Sequence, residues 1–75
     1  MDDPRVLIVE DRAEMADLLA ITLQDDSIES SVVGRGMEAL KAVAEERYDL
    51  VLLDLGLPDI DGMEVLERIR REHAR

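Results

Sequence analysis

Cysteine is absent from this 75-residue chain, so a disulfide framework and a thiolate zinc site are both excluded. Histidine occurs once, as His73 near the C-terminus, which removes an imidazole metal cluster. Phenylalanine and tryptophan are missing and tyrosine occurs once. The core must therefore be aliphatic, and the aromatic platforms on which single-stranded nucleic acids stack are lacking. Positive charge is scarce: nineteen acids stand against nine Lys and Arg, a formal net charge of −10. Such a surface repels nucleic acid and anionic membranes. No apolar run is long enough to cross a bilayer, and the acidic N-terminus does not read as a secretory signal. These absences predict a soluble cytoplasmic protein, with no nucleic-acid contact from this segment and no membrane.

Size sets a further bound. A chain this short buries only ~60% of the surface that it exposes when unfolded. Chains below about 70–80 residues usually need a staple such as a metal or a partner chain.

What is present has a clear order. Arg5-Val6-Leu7-Ile8-Val9 is apolar at consecutive positions, the mark of a strand covered on both faces. It stops at Glu10-Asp11. From Arg12 to Leu23 the apolar residues Met15, Leu18, Leu19 and Leu23, with Thr22, recur at three and four, as on one face of a helix. Asp11 is placed to be its N-cap, with Glu14 completing a capping box. Ile28 to Val33, diluted by Ser30 and Ser31, reads as an edge strand. Gly34-Arg35-Gly36 reads as a turn into a second helix from Met37 to Glu46, whose apolar side is Ala39, Leu40 and Val43. Asp49 to Leu53 is the strongest strand. Asp54 to Gly62 is a loop shaped by Pro58 and Gly62. Met63 to Glu72 forms a third helix, with Met63, Val65, Leu66 and Ile69 apolar. The methionines read as core filler, and Asp59 and Asp61 as turn acids exposed to water. The alternation β-α-β-α-β-α predicts a parallel sheet.

In such sheets ligands gather beyond the carboxyl ends of the strands. The first strand ends at Glu10-Asp11 and the third at Asp54. If the two strands are neighbours, three carboxylates meet at one sheet end. Like charges at close range resist joint ionisation unless a cation intervenes, and Mg²⁺ takes oxygen ligands of this kind. Asp54 could attack a phosphorus centre and form an acyl phosphate. The loop that follows keeps the backbone close enough to add a carbonyl ligand, with Gly56 the candidate.

V-L-I-V-E-D-R at 6–12, G-R-G-M-E-A-L at 34–40 and L-V-L-L-D-L-G-L-P-D-I-D-G at 50–62 resemble the receiver domain of two-component response regulators. The resemblance covers essentially the whole chain, with three motifs in order. It implies a truncated flavodoxin-like α/β fold: residues 1–75 are the first three strand-helix units of five, with sheet order 2-1-3. It implies that Asp54 is the phosphoacceptor. Asp11 is then a direct Mg²⁺ ligand, Glu10 its partner acting through water, and the Gly56 carbonyl the third protein ligand. Pro58 and Gly62 match the loop that shapes the site. The phosphoryl donor would be a phosphohistidine on a sensor histidine kinase, or a small acyl phosphate.

Two family residues have no counterpart: the switch Ser/Thr closes the fourth strand and the phosphate-binding Lys the fifth. Lys41, the one lysine, falls in the second helix and cannot replace the latter. The resemblance implies a signalling module and no metabolic enzyme. One rival is an inert fragment that serves only self-association. Another is a phosphatase with an aspartyl nucleophile, but that chemistry wants a second Asp two residues on, where Gly56 stands. An open third-strand edge predicts a homodimer.

Overall fold

The computed structural model describes residues 4–54 and 56–73. Strand β1 (Arg5–Val9) leads to helix α1 (Ala13–Asp25), then β2 (Glu29–Val33), α2 (Gly36–Glu45), β3 (Leu50–Leu53) and α3 (Gly62–His73). The sheet is parallel, in the order β2-β1-β3. β1 is central, and Leu7, Ile8 and Val9 are fully buried, as its unbroken apolar run predicts. Arg5 lies opposite Glu29 and Val9 opposite Val33 on one side. Val6 faces Leu50 and Val9 faces Leu53 on the other. All three strands therefore finish at one level.

Successive side chains of β1 serve opposite faces. Leu7 and Val9 join Ala39, Val43 and Val65 in the main core, the face covered by α2 and α3. On the other face Ile8 lies with Met15, Leu19 and Leu52 around an open cleft of about 320 Å³ that reaches Asp54. The buried residue of α1 is Ala16, while Leu18 and Ile21 are well exposed. The inward stripe is thus Ala16, Leu19, Ala20 and Leu23, and the expected places of Leu18 and Thr22 in it are corrected. Among the described residues the methionines are not core filler either: Met15, Met37 and Met63 are all exposed, and Met1 lies outside the described residues.

The end of α1 closes by backbone alone. Ser27 N–H donates to the Gln24 carbonyl and Ile28 N–H to the Leu23 carbonyl, at 3.0 and 2.9 Å. This 5→2 and 6→1 pair needs a left-handed residue, and Ser27 takes it, with φ of 61°. At the opposite end of the sheet from the acids, Asp49 and Arg5 exchange hydrogen bonds of 2.7 and 2.8 Å. The Arg5 guanidinium lies 5.2 Å from the centre of the Tyr48 ring.

A Cβ in the left-handed region costs roughly 1–2 kcal/mol. Replacing Ser27 with Gly should therefore stabilise the chain by about 1 kcal/mol, read as a higher urea midpoint with an unchanged slope. A lower midpoint would contradict the account of this turn.

Candidate functional site

The sheet ladder continues one residue past the strand ends. Glu10 N–H donates to the Val33 carbonyl and Asp54 N–H to the Val9 carbonyl, both at 3.0 Å. These bonds fix the backbones of Glu10 and Asp54 side by side. Glu10, Asp11 and Asp54 each bring one carboxylate oxygen into a group whose members lie within 4.8 Å of one another. The convergence expected from sequence is therefore present. Pro58 and Gly62 lie in or beside the following loop, outside the cluster.

The three acids differ in setting. Asp11 is exposed and Asp54 half-buried, whereas Glu10 is only 7% exposed. A buried carboxylate needs compensation, and Arg12 supplies it. Its N–H and its guanidinium Nε both donate to Glu10 Oε1 at 3.1 Å. The hydrogen bond to Glu10 and that residue's charge push the Arg12 pKa up, with smaller contributions from Asp54 and Asp11. Arg12 is the N-cap of α1 and makes no side-chain cap. The expected Asp11 cap and capping box are corrected: Asp11 lies one residue too early, and its carboxylate joins the acidic group. Asp54 is held in turn by Gly56, whose N–H donates to Oδ1 at 3.0 Å. Oxygen-only donors around concentrated negative charge suit a hard divalent cation.

The loop after Asp54 is pinned by acids that the sequence reading left to solvent. Asp59 accepts hydrogen bonds from the N–H groups of Gly36 and Met37, at 2.8 and 3.1 Å. Asp61 accepts one from Met63 N–H at 3.0 Å and so caps α3. Leu57 and Ile60 pack against the main core. Gly62 is the first residue of α3, and among the described residues no glycine has positive φ. A signal for the Asp59 contact was present in the sequence: Arg35, with Gly36 after it, stands where α2 begins, with no Ser, Thr, Asp or Asn at the cap.

Comparison with known proteins agrees with this geometry. The family model of the response regulator receiver domain matches residues 6–75. The DNA-binding response regulator MtrA of Mycolicibacterium paratuberculosis is 44% identical over 68 residues, covering 91% of this chain and 30% of that protein. The transcriptional activator protein PfeR of Pseudomonas aeruginosa is 41% identical, covering 95% of this chain and 23% of its own length. The chain thus spans about a third or less of these curated relatives. The response regulator TrrA of Thermotoga maritima, solved in complex with Mg²⁺-BeF, superposes with a TM-score of 0.91 at 38% identity, over 93% of this chain and 61% of that one. A structure of histidine kinase ThkA with TrrA matches at a TM-score of 0.88 and 39% identity, covering 92% and 60%.

The Met37 N–H, and with it that of Gly36, holds the Asp59 carboxyl below its ordinary pKa, against a smaller opposing effect of desolvation. A depressed folded pKa adds stability that is full above the unfolded value, about 3.9, and is lost as pH falls through the folded one. Urea unfolding should therefore show wild type above Asp59→Asn at pH 7, with the gap closing below about pH 4. A gap independent of pH would contradict this.

Proposed function

The chain belongs to the response regulator receiver domain family, and from that premise we propose that Asp54 is its phosphoacceptor. The observation that carries the reading is the meeting of Glu10, Asp11 and Asp54 at the carboxyl ends of paired parallel strands. Asp11 and Asp54 would hold Mg²⁺ directly, Glu10 through water, and the Gly56 carbonyl would complete the protein ligands. The ion, when bound, neutralises charge on the transferred group. A carboxylate oxygen of Asp54 attacks phosphorus as the P–N bond of a donor phosphohistidine breaks, and the bonding pair leaves with the imidazole. With an acyl phosphate the P–O bond breaks in the same way. Gly56 N–H orients the attacking carboxylate. Arg12 neutralises Glu10 so that a buried acid can stand beside the nucleophile.

The donor that fits is a sensor histidine kinase, a reading supported by the similarity to TrrA, which was solved with a histidine kinase. The chain acts in the cytoplasm as a signalling module, not as a metabolic enzyme. Among the described residues no helix is long and apolar enough to cross a membrane. The net charge of −10 argues against nucleic-acid contact from this segment. The coverage of about three-fifths of the TrrA chain supports reading residues 1–75 as the first three of five units. Lys41 is exposed midway along α2.

Self-association belongs to the same reading. Among the described residues β3 pairs only with β1, and Leu50 at its start is 52% exposed. Antiparallel pairing of two β3 edges gives a twofold dimer in the order 2-1-3-3′-1′-2′.

Mg²⁺ with beryllium fluoride should shift the Asp54 amide resonance of wild type and leave that of Asp54→Asn in place. No shift in wild type with metal present would favour the inert fragment. Light scattering after size exclusion should give twice the 8.4 kDa chain mass; a monodisperse monomer at high concentration would overturn the dimer.

A further inference from the structure

Helix α2 begins on a carboxylate from another part of the chain. Its N-cap residue Arg35 makes no side-chain cap hydrogen bond. The first N–H groups of a helix have no partner within it. Here those of Gly36 and Met37 are each taken by a different oxygen of Asp59, more than twenty residues away. The approach is close. A β-carbon on Gly36 would collide with the side chains of Ile60 and Val65. Val65 is fully buried and Ile60 packs on the same core, so a side chain at Gly36 would have to displace core side chains.

The clasp sits midway along the loop of the candidate site. That loop is tied at three points: Gly56 N–H to Asp54, Asp59 to the start of α2, and Asp61 to the start of α3. Gly56 lies three residues from Asp59. Asp59 itself stands outside the Glu10, Asp11 and Asp54 group.

We propose that Asp59 is a positioning residue for the phosphoacceptor site: by clasping the N-terminus of α2 it fixes the loop carrying Gly56, and through Gly56 the carboxylate of Asp54. The proposal rests on the roles given above to Asp54 and Gly56. A residue that only capped α2 would affect stability and nothing else. A positioning residue also sets how firmly Gly56 is held in molecules that remain folded.

Two measurements on the full 75-residue chain separate these roles. Amide hydrogen exchange without metal should show Gly56 exchanging about fivefold faster in Asp59→Ala by local opening, while Leu7 and Ile8 in β1 speed up only by the factor that the urea-measured loss of global stability dictates. Mg²⁺ titration, followed by amide shifts of the folded population, should show affinity weaker by about tenfold. Asp59→Asn keeps one acceptor oxygen, so it should fall between wild type and Asp59→Ala in both readings. It also serves as the test variant if Asp59→Ala does not fold. Wild-type Gly56 exchange together with wild-type Mg²⁺ affinity in the folded variant would overturn the proposal. Wild-type protein that shows no Mg²⁺ response defeats the metal reading by itself. The exchange comparison, made without metal, then decides the clasp independently.

Discussion

Everything at the acidic end depends on one constraint: β1 lies between two parallel partners whose last residues are level with its own. Parallel pairing puts all carboxyl ends on one side, and the ladder bonds at Glu10 and Asp54 carry the alignment one residue further. Carboxylates distant in sequence are thereby forced within a few ångströms. Their repulsion is not relieved by the fold alone. Arg12 compensates Glu10, Gly56 N–H supports Asp54, and the remaining charge makes the place attractive to a hard cation.

The same fold divides its stability unevenly. One face of β1 meets α2 and α3 in an aliphatic core that needs no aromatic side chain. The other face carries α1 and an open cleft beside Leu52. Exposed ion pairs such as Arg68 with Glu64, four residues apart at 2.8 Å, contribute only about 0.3–0.5 kcal/mol. The chain is therefore held mainly by β1 and by the helices over Leu7 and Val9, with β3 paired on one side only among the described residues.

The succession of strands and helices along the chain and the acids at the strand ends were legible in the sequence because each has a local signature, while the sheet order 2-1-3, and with it the meeting of those acids, followed from the resemblance to receiver domains. Five consecutive apolar residues mark β1, and carboxylates directly after such runs mark the strand ends. The misreadings share a cause. Leu18 satisfies the helical period but faces outward, because a 13-residue helix laid on a narrow sheet buries only a thin stripe. Asp11 satisfies the cap pattern but sits one residue early, and its charge goes to the acidic group. Asp59 looks like a solvated turn acid because its partners, Gly36 and Met37, are remote in sequence. Tertiary contacts of this kind leave only an indirect trace, here a helix that lacks its own cap.

The central claim is that Glu10, Asp11 and Asp54 form one cation site at the shared end of β1 and β3. Mn²⁺, an ion of like charge and ligand preference, tests it directly through paramagnetic broadening of backbone amides. At sub-stoichiometric Mn²⁺ the resonances of residues 10, 11, 54 and 56 should vanish first and together, with those of Asp25, Asp26, Glu45 and Glu46 intact. Broadening spread evenly over all the acidic surface, or centred away from the ends of β1 and β3, would contradict it.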